Sequence, residues 1–68
     1  MPKPVRPGLR VEVVEHGAFE GRAFARYFVY DDHGHELRQT HRDVTAEVRE
    51  AERRHESLAT VLARREAQ

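Results

Sequence analysis

Cysteine is absent from this chain of 68 residues, and so is tryptophan. Without thiols there are no disulfides and no thiolate zinc sites, and a cysteine-free composition suits a reducing compartment. No apolar run reaches the length of a signal peptide or a membrane span. The expectation is therefore a soluble, cytoplasmic protein. No sign of charge dominates: Lys+Arg and Asp+Glu both number 12, for a formal net charge of zero. The clear positive excess common in nucleic-acid-binding domains is missing. Glycine and proline are few, at four and three, and all three prolines fall within the first seven residues. A chain this short makes one domain, which buries only roughly 60% of its unfolded surface and is marginal alone. With disulfides excluded, self-association, an imidazole or carboxylate metal site, or a good small core must make up the difference.

What is present is uneven. Residues 1–30 hold five basic and three acidic residues, and residues 31–68 hold seven basic and nine acidic. The basic preference thus sits in the first half. Eleven of the 12 basic residues are arginine, the side chain better suited to planar, bidentate recognition. Residues 1–8 (MPKPVRPG) read as an extended arm that joins neither a helix nor a central strand. Residues 9–68 read as one small α+β domain. It comprises a two- or three-stranded antiparallel β-meander, with strands at about 9–15, 22–30 and 35–39, and one long C-terminal α-helix at about 41–65.

Leu9, Val11 and Val13 alternate with Arg10 and Glu12, the pattern of a half-buried strand. His16-Gly17 ends it in this reading, and Phe19 folds back onto the core from the connection that follows. Asp31-Asp32-His33-Gly34 signals a turn. Thr40 reads as the helix N-cap, with Asp43 three residues on complementing the helix dipole. From His41 to Arg65 neither glycine nor proline interrupts the chain.

The most informative stretch is Arg22–Tyr30 (RAFARYFVY). Side chains of a strand alternate between two faces, and here both faces are rich in apolar groups. One carries Arg22, Phe24, Arg26, Phe28 and Tyr30. The other carries Ala23, Ala25, Tyr27 and Val29. A single helix covers a single face. The uncharged row, with two alanines that permit close approach, is the better one to cover, because an unpaired buried charge costs several kcal/mol. The competing arrangement makes Phe24 and Phe28 the core and lets Arg26 reach water along its stem. Either way a semi-apolar face remains open.

Val44, Val48, Ala51, His55, Leu58 and Leu62 form a narrow helical seam of coiled-coil spacing. Such a seam serves either the chain's own sheet or a second chain. A straight helix of this length outruns strands this short. Its second half then projects, and His55, Leu58, Val61 and Leu62 become a self-association patch.

Candidate chemistry is sparse. His33-Gly34-His35 beside Asp31 and Asp32 has metal-ligand types, but the two histidines and two aspartates are ordinary turn residues, and no metal or other cofactor is assigned. No nucleophile set or phosphate loop is recognisable, and so short a chain has little room for a deep pocket. No catalytic residue is assigned, and the chain is expected not to be an enzyme. The order strand, strand, strand, helix resembles the small arm-binding domains of some integrases, which implies a sheet set into a DNA groove. Val11–Gly21 (VEVVEHGAFEG) resembles a KOW-type turn. Neither resemblance carries a diagnostic motif, and no family is assigned from them.

The expected function is a small non-catalytic protein-binding module that self-associates as a homodimer, with a regulator or inhibitor as the role such a module fits. Arg22, Phe24, Arg26, Phe28 and Tyr30 carry recognition, since aromatics interleaved with arginine are favoured at interfaces. The alternative is nucleic-acid binding through the same face, which can stack bases and neutralise phosphates, with Lys3, Arg6 and Arg10 as further contacts.

Overall fold

Three antiparallel strands in the order β1-β2-β3 are followed by two helices in the computed structural model, which describes residues 8–68. The strands are β1 (Arg10–Phe19), β2 (Arg22–Tyr30) and β3 (Glu36–Asp43), and the helices are α1 (Thr45–Arg54) and α2 (Leu58–Glu66). The fold is α+β. The expected arm, with Lys3 and Arg6, lies outside the described residues apart from Gly8.

β1 does not stop at His16-Gly17. It continues to Phe19, with His16 opposite Ala25 and Gly17 opposite Phe24. The reversal is made by Glu20 and Gly21, both at positive φ (52° and 75°). Two such residues give the turn whose twist matches that of its flanking strands. Phe19 therefore remains on the sheet at 69% exposure and does not fold back onto the core. The second turn is held by one carboxylate: Asp31 Oδ1 accepts the N–H groups of His33 (2.9 Å) and His35 (2.8 Å). Gly34, at φ 84°, closes it.

β3 likewise runs past Thr40, which lies opposite Tyr27 and caps no helix. The helix begins where pairing ends, at Asp43 opposite Phe24. There Asp43 Oδ1 accepts both the N–H (2.9 Å) and the hydroxyl (2.7 Å) of Thr45. The Thr45 oxygen in turn accepts the N–H of Ala23 (2.9 Å), and Val44 N–H donates to the Ala23 carbonyl (2.8 Å). One helix start is thus bolted directly to the central strand.

The single long helix is instead two. His55 takes the left-handed conformation (φ 55°, ψ 43°). Glu56 N–H returns to the Ala51 carbonyl and His55 N–H to that of Glu52, the paired bonds of a Schellman stop. Ser57 then starts α2 by accepting the N–H of Thr60 at 3.1 Å. The physical reason is length. An unbroken helix of some 25 residues spans roughly 37 Å, whereas a nine-residue strand spans about 30 Å. The break brings Leu58, Val61 and Leu62 back, with α1 packed on β2 and α2 on β1.

The core is Val11, Ala23, Ala25, Tyr27, Val29, Val44 and Leu62, with Leu9, Val13, Val48 and Leu58 against it. β3 adds no large apolar side chain to this layer. Its helix-side residues Arg38 and Arg42 are tied by charge: Arg38 to Glu66, and Arg42 to the Tyr27 hydroxyl (2.8 Å) and Glu47 (3.0 Å).

Two stability outcomes follow. Leu62→Ala costs about 2–5 kcal/mol, a large share of the roughly 3–10 kcal/mol expected of so short a chain. Urea unfolding followed by circular dichroism should show the midpoint collapse. His55→Gly relieves a left-handed non-glycine residue and should raise stability by about 1 kcal/mol. A lowered midpoint would show that the imidazole makes a contact worth more than the strain.

Candidate protein-interaction face

Alternation along β2 decides the site. Ala23, Ala25, Tyr27 and Val29 are buried beneath the helices, so Arg22, Phe24, Arg26, Phe28 and Tyr30 occupy the opposite face, which no described residue covers. Strand register sets their neighbours. Phe24 lies between Gly17 and Asp43, Arg26 between Glu15 and His41, and Phe28 between Glu12 and Gln39. All five sequence-derived recognition residues share this one surface.

Its rings and charges are ordered among themselves. Phe28 and Tyr30 rings lie 6.2 Å apart, centre to centre. The Arg10 guanidinium sits 4.5 Å above the Tyr30 ring, a cation–π geometry. Each arginine also faces a carboxylate: Arg22 with Asp43 at 2.7 Å, Arg26 with Glu15 at 3.3 Å, and Arg10 with Glu12 at 4.0 Å. Among the described residues, the large apolar side chains left exposed, Val14, Phe19, Phe24 and Leu37, all lie on the strands. A shallow groove of about 340 Å³ runs past Gly17, Phe19, Phe24, Arg26 and His41 at the hairpin end. Gly17 leaves open space across from Phe24, since a Cβ there would meet nothing within 4 Å.

Asp43 joins this face to the helix start. Hydrogen bonds from the Thr45 hydroxyl and N–H, and then from Arg22, hold its pKa down at about 2. Asp31 is likewise lowered, chiefly by the His35 N–H, against a smaller opposing effect of burial and with help from the His33 N–H. On the helix side, burial works to lower Arg42, but its hydrogen bonds to Glu47 and Tyr27 prevail and its pKa is raised. Glu50 is lowered first by its bond from Arg65.

The second expected patch is not a surface. Val61 and Leu62 are fully buried in the chain's own core and Leu58 is half-buried, because the break at His55 turns them inward. Only His55 is exposed. Arg10, expected as a phosphate contact, is engaged with Tyr30 and Glu12. The turn at Asp31–His35 uses its carboxylate on its own backbone, and among the described residues no three His, Cys, Asp or Glu are grouped to hold a metal ion. No helix among the described residues is long and apolar enough to cross a membrane. Sequence reasoning missed Glu12 and Glu15 as partners of the face arginines: the alternation of Glu12 with Val11 and Val13 pointed it that way, whereas Glu15 reaches the face only through the register shift between Val13 and Glu15. It also missed Val14 and Leu37, whose exposure comes with irregularities in strand pairing.

No protein-family model, curated protein or solved structure matches this chain.

Acid should expose the role of Asp43. Its folded pKa of about 2 lies below the ordinary 3.8. Its contribution is therefore complete above about pH 4 and is lost as pH falls through about 2. Denaturation midpoints taken at neutral pH and at about pH 2.5 should fall steeply for the native chain and less steeply for Asp43→Asn. Equal slopes would place the acid sensitivity elsewhere.

Proposed function

We propose that this chain is a non-catalytic protein-binding module whose recognition surface is the uncovered sheet face centred on Phe24, Arg26 and Phe28. The observation that carries this reading is the pairing of charge on that face. Arg10, Arg22 and Arg26 each have a carboxylate within 4.0 Å, so the surface is an apolar strip crossed by neutralised ion pairs. Such a mixture fits a protein surface, where aromatic and arginine side chains anchor binding. It fits a phosphate backbone poorly. Binding there draws its strength from uncompensated cations that release counterions, and the overall charge of zero offers no surplus.

Catalysis has no comparable support: the groove is shallow, and the ionisable groups that line it, Glu15, His16, Arg26 and His41, lie in the open. A role as a small regulator or inhibitor accords with a module that offers one face and little else.

The paired substitution Phe24→Ala with Phe28→Ala tests this directly. Retention of interacting proteins on the immobilised chain should fall by roughly 30-fold or more, with the circular dichroism spectrum preserved. Loss of the fold would instead make those rings structural. Oligonucleotides, single- or double-stranded, should fail to bind at about 20 mM salt. Tight binding that weakens steeply as salt rises would favour the nucleic-acid reading.

A further inference from the structure

We infer that the occupant of the uncovered face is a second copy of this chain, laid sheet against sheet; this rests on the protein-binding reading above. Charge is the first support. The face carries Arg10, Arg22 and Arg26 beside Glu12, Glu15 and Asp43, interspersed and, with Glu36 opposite Tyr30, close to balanced. A surface balanced in this way meets a copy of itself without a large like-charge excess on either side, which a strongly acidic or basic surface does not achieve.

Register supplies the second. Two-fold symmetry brings the same patch of both copies together, and stacked sheets keep their strands within about 30° of each other. An axis running along β2 lays β1 of one copy over β3 of the other. Glu15, Arg26 and His41 form one row across the sheet. That axis sets Glu15 over His41 of the second copy and gathers Phe24 and Phe28 of both copies at the centre. Arg26 lies near the axis, where each guanidinium keeps its own Glu15.

Size is the third. The face measures about 30 Å along the strands and about 14 Å across them. Closing it buries on the order of 850 Å² over both copies, below standard-size interfaces and in the range of weak, reversible ones. The dimer is therefore a reversible one, with a dissociation constant on the order of 1–100 μM.

Sedimentation equilibrium of the full chain from about 1 μM to about 1 mM tests it. A monomer–dimer equilibrium is expected. Phe24→Glu and, separately, Gly17→Glu should each weaken it by about 30-fold, whereas Arg53→Glu, on the exposed side of α1, should leave it unchanged. Gly17 lies opposite Phe24 on this face and an added Cβ there meets nothing within 4 Å, so its variant keeps the test valid even if Phe24→Glu unfolds. A folded chain that stays monomeric throughout overturns the second-copy inference but leaves the protein-binding reading standing. A dimer indifferent to both substitutions overturns the face itself, and both readings with it.

Discussion

Tyr27 sits where the two halves of this structure meet. Its ring is fully buried among Ala25, Val29, Val44 and Leu62, while its hydroxyl accepts from Arg42 Nε at 2.8 Å. Arg42 continues to Glu47, which is only 6% exposed, and Arg65 reaches Glu47 and Glu50. Aromatic residues with a polar tip suit such a boundary. On one side of Tyr27 the helices rest on β1 and β2 through apolar contact. On the other they hold β3 through arginine and glutamate. Removing one partner of a buried ion pair leaves the other uncompensated and is costly. The Arg42–Glu47 pair is therefore costly to break, and it adds to the pairing with β2 in holding β3.

This division explains how so small a chain orders three strands with a core built from two. A fully apolar inner face on β3 would need more helix to cover it. Arg38 and Arg42 need only acceptors: α2 supplies Glu66, α1 supplies Glu47, and the β3–α1 junction adds the Asp43 carbonyl. The consequence falls on the other side of the sheet. Every covering element is committed to the Ala23–Val29 row, so nothing among the described residues remains for Phe24 and Phe28. The open face and the economical core are one arrangement seen from two sides.

The alternation of β2 was fully legible in the sequence, and with it which residues share a face. The choice of covered face followed from physics: alanines admit a helix closely, and charge resists burial. The helix was legible as far as Arg54. Its interruption was not, because the left-handed stop is made by His55, not by the usual glycine, and the seam kept its spacing straight across it. A periodic stripe records which residues want burial. It does not record whether one rod or two delivers them. That ambiguity turned Val61 and Leu62 from core into a supposed surface. The start of α1 misled in the same way. Thr40 and Asp43 have the spacing of a capping box, yet the alternation of Arg38, Thr40 and Arg42 inward favoured strand, and Asp43 with Thr45 took over the capping.

A three-stranded sheet offers a partner two edges as well as a face, and the edges are the poorer choice. Exposed edge strands are commonly blunted by bulges and charge. Here β1 carries an irregularity between Val13 and Glu15, and β3 slips at Leu37 between Arg38 and Glu36. β3 also has Glu36, Arg38, Arg42 and Asp43 along its length. An incoming strand would have to follow a ladder broken on both sides. Both irregularities lie beside exposed aliphatic side chains, Val14 and Leu37. The local departures that spoil edge pairing thus accompany apolar surface on the outer strands. Open-ended strand addition, which propagates, is thereby disfavoured at both edges.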